Sequence, residues 1–243
     1  IGRGPGEYSN IRCIDVDPQN EIIFILDNYS PFLLSYDIKG NFKSTIIPCR
    51  DKTSFCFLNG YFYFHAPINL VAYSDNSNSE TFYQLSVYDS KAVLVKSLNE
   101  VNAKNLTKSK FIEDAFFTVS SEGEVLYNTF RDNKVFSLKG DSFDLKYLVE
   151  AGKSNKVEDN ADFLLDHIYS ANKYLFINFR YQNKPGLVLY DGVKLRSVDS
   201  NNGGTITDDI DGTGKLFFQL YFQGDYLIDA IYANKLYKTD ISL

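Results

Sequence analysis

The sequence predicts a repeat-built, all-β fold of the propeller type, with four short antiparallel strands in each repeat. Three observations predict it. An aromatic mark recurs about every fifty residues along the 243-residue chain. Each mark is flanked by strand-like runs with turn residues between them. No segment carries a convincing amphipathic helical period; the best helical candidate, 226–234, is short and lacks a clean cap.

The repeat is clearest at Ser35-Tyr36-Asp37-Ile38-Lys39-Gly40. It returns as Val87-Tyr88-Asp89-Ser90-Lys91-Ala92, as Val135-Phe136-Ser137-Leu138-Lys139-Gly140, as Leu189-Tyr190-Asp191-Gly192 and, weakest, as Leu236-Tyr237-Lys238. The aromatic positions 36, 88, 136, 190 and 237 are 52, 48, 54 and 47 residues apart. Such self-similarity is the mark of a repeat architecture.

Before each copy lies a second strand-like run, at 22–27, 61–65, 124–130, 173–179 and 215–221. A first run precedes that one, as at 11–16, 115–119 and 164–169, and several repeats add a fourth, as at 42–47, 93–98 and 143–149. A four-stranded sheet cannot bury its two faces alone, and radial stacking buries both. This explains why runs such as Ile22-Ile23-Phe24-Ile25-Leu26 are continuously apolar rather than alternating. Solenoids, the rival repeat class, need shorter repeats or helical periodicity. The expectation is one propeller domain over 1–243. The chain opens at Ile1, with no initiator methionine and no signal peptide, so part of the N-terminal region is expected to lie outside it.

Composition narrows the function classes. Hydrophobic residues are 44% and aromatics 16%, with 18 Tyr and 20 Phe, which is globular and strand-favouring. The net charge of −6 comes from 25 basic and 31 acidic residues, interspersed. No Lys/Arg run offers a phosphate-tracking stripe, so nucleic acid is not an expected partner. No apolar run reaches the roughly 18–20 residues of a membrane-spanning helix. Three cysteines argue against a disulfide framework. Cys13 reads as a small buried hydrophobe; Cys49 and Cys56 are close enough in sequence to pair, without need.

Ile14-Asp15-Val16-Asp17-Pro18-Gln19-Asn20-Glu21-Ile22-Ile23-Phe24-Ile25-Leu26-Asp27, continuing through Tyr36-Asp37 to Gly40-Asn41-Phe42, resembles one NHL-type repeat. The opening Gly2-Arg3-Gly4-Pro5-Gly6-Glu7-Tyr8 resembles the loop motif of six-bladed β-propeller proteins abundant in Bacteroidetes. The resemblance implies a six-bladed β-propeller of four-stranded antiparallel blades. It also implies an exported protein, in the periplasm or held as an outer-membrane lipoprotein. Later repeats depart from the pattern: Ser137 and Lys238 replace the Asp of the Tyr-Asp pair.

Several motifs look chemical and have plainer readings. Gly2-Arg3-Gly4-Pro5-Gly6 has Glu7 where a dinucleotide loop needs its third glycine, and builds a tight turn. Gly152-Lys153-Ser154 ends like a P-loop, but Tyr147 holds the leading glycine's place. Asp209, Asp211 and Thr213 match the start of a calcium loop, yet position twelve is Leu220 instead of a bidentate acid. Calcium through these three residues is the only cofactor the sequence suggests. Two histidines, His65 and His167, cannot build a His-rich metal centre. No nucleophile elbow exists for a serine triad. His167 lies in a first-strand run, where it would face a central channel.

Binding is the stronger reading. The longest insertion, 66–81, carries Asn69, Tyr73, Asp75 and Asn76 beside the aromatic run Tyr61-Phe62-Tyr63-Phe64. Aromatics beside amides and carboxylates suit a sugar or a peptide, and loops on rigid scaffolds are where binding concentrates. Arg180 and Tyr181 form a second loop candidate. The expected function is therefore a cell-envelope binding or scaffold propeller that recognises a glycan, peptide or protein without catalysis. The alternative is a hydrolase or lyase resembling six-bladed lactonases, which hold calcium in the channel. A third reading is a structural repeat unit of a larger chain.

Overall fold

In the computed structural model the described residues are 6–67, 81–102, 115–129, 133–149, 163–171, 174–181 and 184–198, together with five short strand segments between 206 and 240. Four four-stranded antiparallel sheets follow one another along the chain. The first holds β1 (Ile11–Asp17), β2 (Ile22–Asp27), β3 (Phe32–Asp37) and β4 (Phe42–Pro48); the second β5 (Ser54–Leu58), β6 (Tyr61–His65), β7 (Thr81–Asp89) and β8 (Leu94–Asn102). The third holds β9 (Ala115–Val119), β10 (Val125–Thr129), β11 (Lys134–Lys139) and β12 (Ser142–Leu148). The fourth holds β13 (Phe163–Ala171), β14 (Tyr174–Tyr181), β15 (Lys184–Tyr190) and β16 (Leu195–Val198). Within each sheet, strands adjacent in sequence are hydrogen-bonded neighbours. That up-and-down meander is the form of a propeller blade, so the fold is all-β and propeller-like.

The remaining strands are β17 (Ile206–Asp208) with β18 (Gly214–Leu216), and β19 (Leu220–Gln223) with β20 (Tyr226–Asp229) and β21 (Thr239–Asp240). Two expectations change here. The single run expected at 215–221 is divided between β18 and β19. The helical candidate at 226–234 begins as strand β20, paired with β19 through Leu227 and Phe222. Among the described residues there is no α-helix, and hence none long and apolar enough to cross a membrane.

Both faces of the first sheet are greasy, which accounts for the continuous apolar run in β2. Phe24 and Leu26 join Leu33, Ile47, Cys49, Phe55, Phe62 and Phe64 in a core shared with the second sheet. Ile23 and Ile25 turn the other way, to Leu34 and Tyr36. Phe24 meets Phe62 edge-on at 4.9 Å between ring centroids, and Phe57 at 5.0 Å. Such aromatic pairs add roughly 0.5–1.5 kcal/mol each beyond burial.

The Tyr-Asp mark is now legible as architecture. Tyr36 packs in the core and donates its hydroxyl to the Gly6 carbonyl at 2.8 Å. Asp37 closes the next hairpin by accepting from the Lys39 and Asn41 N–H groups. Asp89 does the same for Lys91 and Val93, and Asp191 for Val193 and Lys194. These are Asx turns, in which the side chain stands in for a backbone acceptor. Where Ser137 replaces the acid, its hydroxyl instead donates to Glu124.

The chain divides into two compact units, 1–117 with 138–144, and 118–137 with 145–243. The first is built on the aromatic core just described. The second has its own core, in which Leu126 and Val135 pack with Leu165, Ile168, Leu175 and Ile177. Cys13, Cys49 and Cys56, all in the first unit, are free thiols, so Cys49 and Cys56 do not pair.

Candidate functional site

In the fourth sheet, alternation along β14 puts Leu175 and Ile177 into one core and turns Phe176, also buried, with Asn178 and the exposed Arg180 to the opposite face. His167 of β13 is the cross-strand partner of Asn178, and Tyr169 of Phe176, so both share that face. The rings of His167 and Tyr169 lie parallel, 1° apart in plane, with centroids 5.9 Å apart. Between Leu165 and His167 the register slips by one residue, a β-bulge that makes Asp166 the extra residue. Bulges of this kind re-aim a side chain. Here the Asp166 carboxylate accepts from Arg180 Nε at 2.9 Å.

The partners differ sharply in exposure. The Arg180 side chain is 56% exposed and that of Asp166 is 14% exposed. Asp166 Oδ1 is buried, with no hydrogen-bond partner among the described residues. A guanidinium held through Nε keeps its two terminal amines for another planar acceptor. The result is a strip on β13 and β14: two parallel rings, an amide, and an oriented arginine at one end.

A second polar cluster lies in the first unit. Thr53, His65, Gln84 and Ser86 are buried at one end of the second sheet. Lys52 Nζ, on a side chain 9% exposed, reaches Asp51 Oδ2 at 3.2 Å and Ser86 Oγ at 3.3 Å. Gln84 Oε1 accepts from Asn99 Nδ2 at 2.7 Å, while Thr53 Oγ1 has no partner among the described residues. The backbone closes this end through Thr53 N to His65 O and Ala66 N to Gln84 O. The insertion after His65 leaves the sheet here. The available signal was Gln84 and Ser86 alternating with Leu85 and Val87 along β7, which puts polar groups on a face whose neighbours, Phe64 and Tyr88, are aromatic.

A third group joins the first strands of the first two sheets. Asp15 accepts from the Phe57 N–H at 2.6 Å and from the Val16 N–H at 2.8 Å. Cys13 Sγ contacts the Phe55 carbonyl at 3.6 Å. Burial raises the Asp15 carboxyl above its ordinary value, against the pull of those N–H groups. Burial likewise pushes the thiol of Cys13 up to about 11, and that of Cys56 well above its usual value. These are inert thiols, and the group stitches two sheets together.

Of the sequence-derived candidates, His167 and Arg180 fall on one face of one sheet, joined by Asp166, which sequence reasoning did not single out. Arg180 and Tyr181, expected in a loop, lie instead on β14, where ladder pairing carries the strand on to Tyr181, opposite Phe163 and Lys184. Asn69, Tyr73, Asp75 and Asn76 lie outside the described residues, as do Asp209, Asp211 and Thr213. Among the described residues no three His, Cys, Asp or Glu side chains are grouped to hold a metal ion.

A family model described as a domain of unknown function, DUF4934, matches residues 1–242. No curated protein matches the chain. Among solved structures, it is similar to a protein described as exported, from Bacteroides fragilis. That match has a TM-score of 0.62 and 14% identity, and covers 94% of this chain and 68% of the other. A member of the DUF4221 family from Bacteroides vulgatus aligns with a TM-score of 0.49 and 8% identity, over 79% of this chain and 67% of its own. The extracellular domain of a one-component system from B. thetaiotaomicron aligns with a TM-score of 0.48 and 9% identity, over 89% of this chain and 31% of that one. At 14% identity the first likeness is one of fold alone.

Proposed function

The chain belongs to the DUF4934 family of domains of unknown function, and from that premise we propose that it is a non-catalytic binding module on the exported side of the cell. It recognises a glycan, peptide or protein through its fourth sheet. The reading includes a single closed propeller of six blades, completed by sequence beyond the four sheets described in full. The exported location is supported by the description of the Bacteroides fragilis structure of shared fold.

The observation that carries the reading is Arg180, held through Nε by the largely buried Asp166. Asp166 is largely buried, so its carboxylate needs a partner, and Arg180 is the partner that also reaches solvent. The pair compensates that carboxylate and at the same time fixes the plane of an exposed guanidinium, which is what recognition needs. The test is a screen of the purified protein against glycans, peptides and envelope extracts, with Arg180→Ala in parallel. At least one partner should be captured by the native chain and lost by the variant, and Arg180→Ala combined with Asp166→Asn, which leaves no unpaired carboxylate, should lose it too while keeping a urea midpoint close to the native one. Capture that is indifferent to Arg180 would remove the fourth sheet from the reading.

A further inference from the structure

We propose that Asn59 is a modification site: in the folded chain its side-chain amide is lost spontaneously through a cyclic imide with Gly60, leaving aspartate and isoaspartate in the β5–β6 turn. The inference is independent of the binding reading above.

Turn chemistry places the pair. β5 ends at Leu58, β6 begins at Tyr61, and these two are cross-strand partners, so Asn59 and Gly60 are the whole connection. Both have positive φ, 51° and 80°, as a type I′ hairpin turn requires, and that turn favours Asn-Gly. The same dipeptide is the one most open to cyclisation. Glycine has no Cβ to crowd its own nitrogen, and the five-membered ring uses atoms of these two residues alone.

The surroundings decide which asparagine reacts. Asn59 is exposed, and among the described residues neither its side-chain amide nor the Gly60 N–H makes a hydrogen bond. The space that a Cβ on Gly60 would take is empty within 4 Å, which leaves the turn room to move. Other asparagines are held. Asn20 Nδ2 donates to Asp17 at 2.7 Å, Asn41 Nδ2 to Asp37 at 2.8 Å and Asn99 Nδ2 to Gln84 at 2.7 Å, and each precedes a larger residue than glycine. Glycines of other turns are held as well, Gly40 N–H by Asp37 O and Gly123 N–H by Ser120 O.

The step balances with water as its only co-reactant. The Gly60 nitrogen bonds to the Asn59 side-chain carbonyl carbon, and the amide nitrogen leaves as ammonia with the proton that Gly60 gives up. Water then opens the cyclic imide at either carbonyl. One opening leaves aspartate with the backbone unchanged. The other leaves isoaspartate, whose backbone runs through Cβ and Cγ and is one carbon longer. Loop length sets the register of a two-residue hairpin. The longer backbone therefore disturbs the Leu58–Tyr61 pair and, next to it, Phe57 and Phe62, whose ring centroids lie 4.7 Å apart against the first core.

The test is incubation of the full chain, folded and in urea, followed by peptide mass spectrometry with the aspartyl and isoaspartyl forms separated. The other Asn-Gly pair, Asn202-Gly203, lies outside the described residues, and peptide mapping reports it separately. The expected result at pH 8 is loss of the Asn59 amide from the folded chain at least ten-fold faster than that of Asn20 or Asn41. The rate should fall at pH 6, because the nitrogen attacks in its deprotonated form. Asn59→Gly keeps a pair the type I′ turn accepts, so that variant should show no change in this peptide and a urea midpoint close to the native one. The isoaspartyl form should unfold at lower urea than the aspartyl form. An Asn59 amide that outlasts that of Asn41, or that is lost from the urea-unfolded chain alone, would overturn the inference. Equal urea midpoints for the two product forms would overturn the effect assigned to the longer backbone.

Discussion

Asp27 accepts four backbone N–H groups, from Ser9 and Asn10 on Oδ2 and from Tyr29 and Ser30 on Oδ1. Burial opposes its charge, but the four N–H groups outweigh burial and hold its carboxyl below the ordinary 3.8. The stabilisation it supplies is thus present above 3.8 and is lost as pH falls through its lower folded value. Asp15 works in the opposite sense. Its carboxyl is raised by burial, so its contribution is full below 3.8 and fades as pH climbs through the raised folded value. Urea denaturation from pH 3 to pH 7 separates the two. Asp27→Ala should cost about 3 kcal/mol at neutral pH, since charge-assisted bonds contribute about 1.5–3 kcal/mol each and are not additive. It should also flatten the acid limb, whereas Asp15→Asn should remove a decline toward neutral pH; a variant curve parallel to the native one would refute the assignment for that residue. None of this was legible beforehand. Asp15, Asp17 and Asp27 look alike in the sequence, and only the direction of nearby N–H groups distinguishes them.

At the scale of the element, periodicity and turn chemistry carried far. The runs read at 22–27, 61–65 and 115–119 coincide with β2, β6 and β9. The run at 215–221 failed because Leu216-Phe217-Phe218 and Leu220-Tyr221-Phe222 are both apolar, and pattern alone does not say where one strand stops. The bulge at Asp166 was invisible for a related reason: it belongs to the pairing register, which no single strand records. The hairpin turns give a quantitative case. Gly40 and Gly140 close equivalent turns with φ of 84° and 60°, and Ala92 stands in the same place at 64°. Its N–H donates to Asp89 O at 3.0 Å, as that of Gly40 does to Asp37 O at 2.9 Å. A left-handed conformation costs a non-glycine residue roughly 1–2 kcal/mol, while the methyl of Ala92 contributes less by packing against the first core. Ala92→Gly should therefore stabilise the chain by about 0.5–1 kcal/mol in urea denaturation, despite glycine's more flexible unfolded state. A loss of stability would mean that the methyl contact outweighs the backbone strain.

At the scale of the whole molecule, what the sequence made legible was the unit of construction: four strands, a Tyr-Asp mark, two apolar faces. The location of polar groups inside that construction was only partly legible: Gln84 and Ser86 alternate with apolar residues along β7, but Lys52 and Thr53 precede β5 and are covered by neighbouring strands and not by any pattern of their own. The three thiols report on the construction directly. Cys13 and Cys49 have pKa values pushed up to about 11 and about 12 by burial, and Cys56 lies well above its usual value. Cys49 belongs to the core shared by the first two sheets, Cys13 packs against it, and Cys56 lies on β5, the first strand of the second sheet. Only a thiolate attacks a disulfide reagent, so at pH 8 the folded protein should react slowly with Ellman's reagent at all three. If the first two sheets stand or fall together, the thiols should become reactive in one urea transition that coincides with the loss of β-sheet circular dichroism. Cys56 reacting before the others would mean that the second sheet detaches while the first persists, and a thiol that reacts rapidly without urea would contradict the shared aromatic core itself.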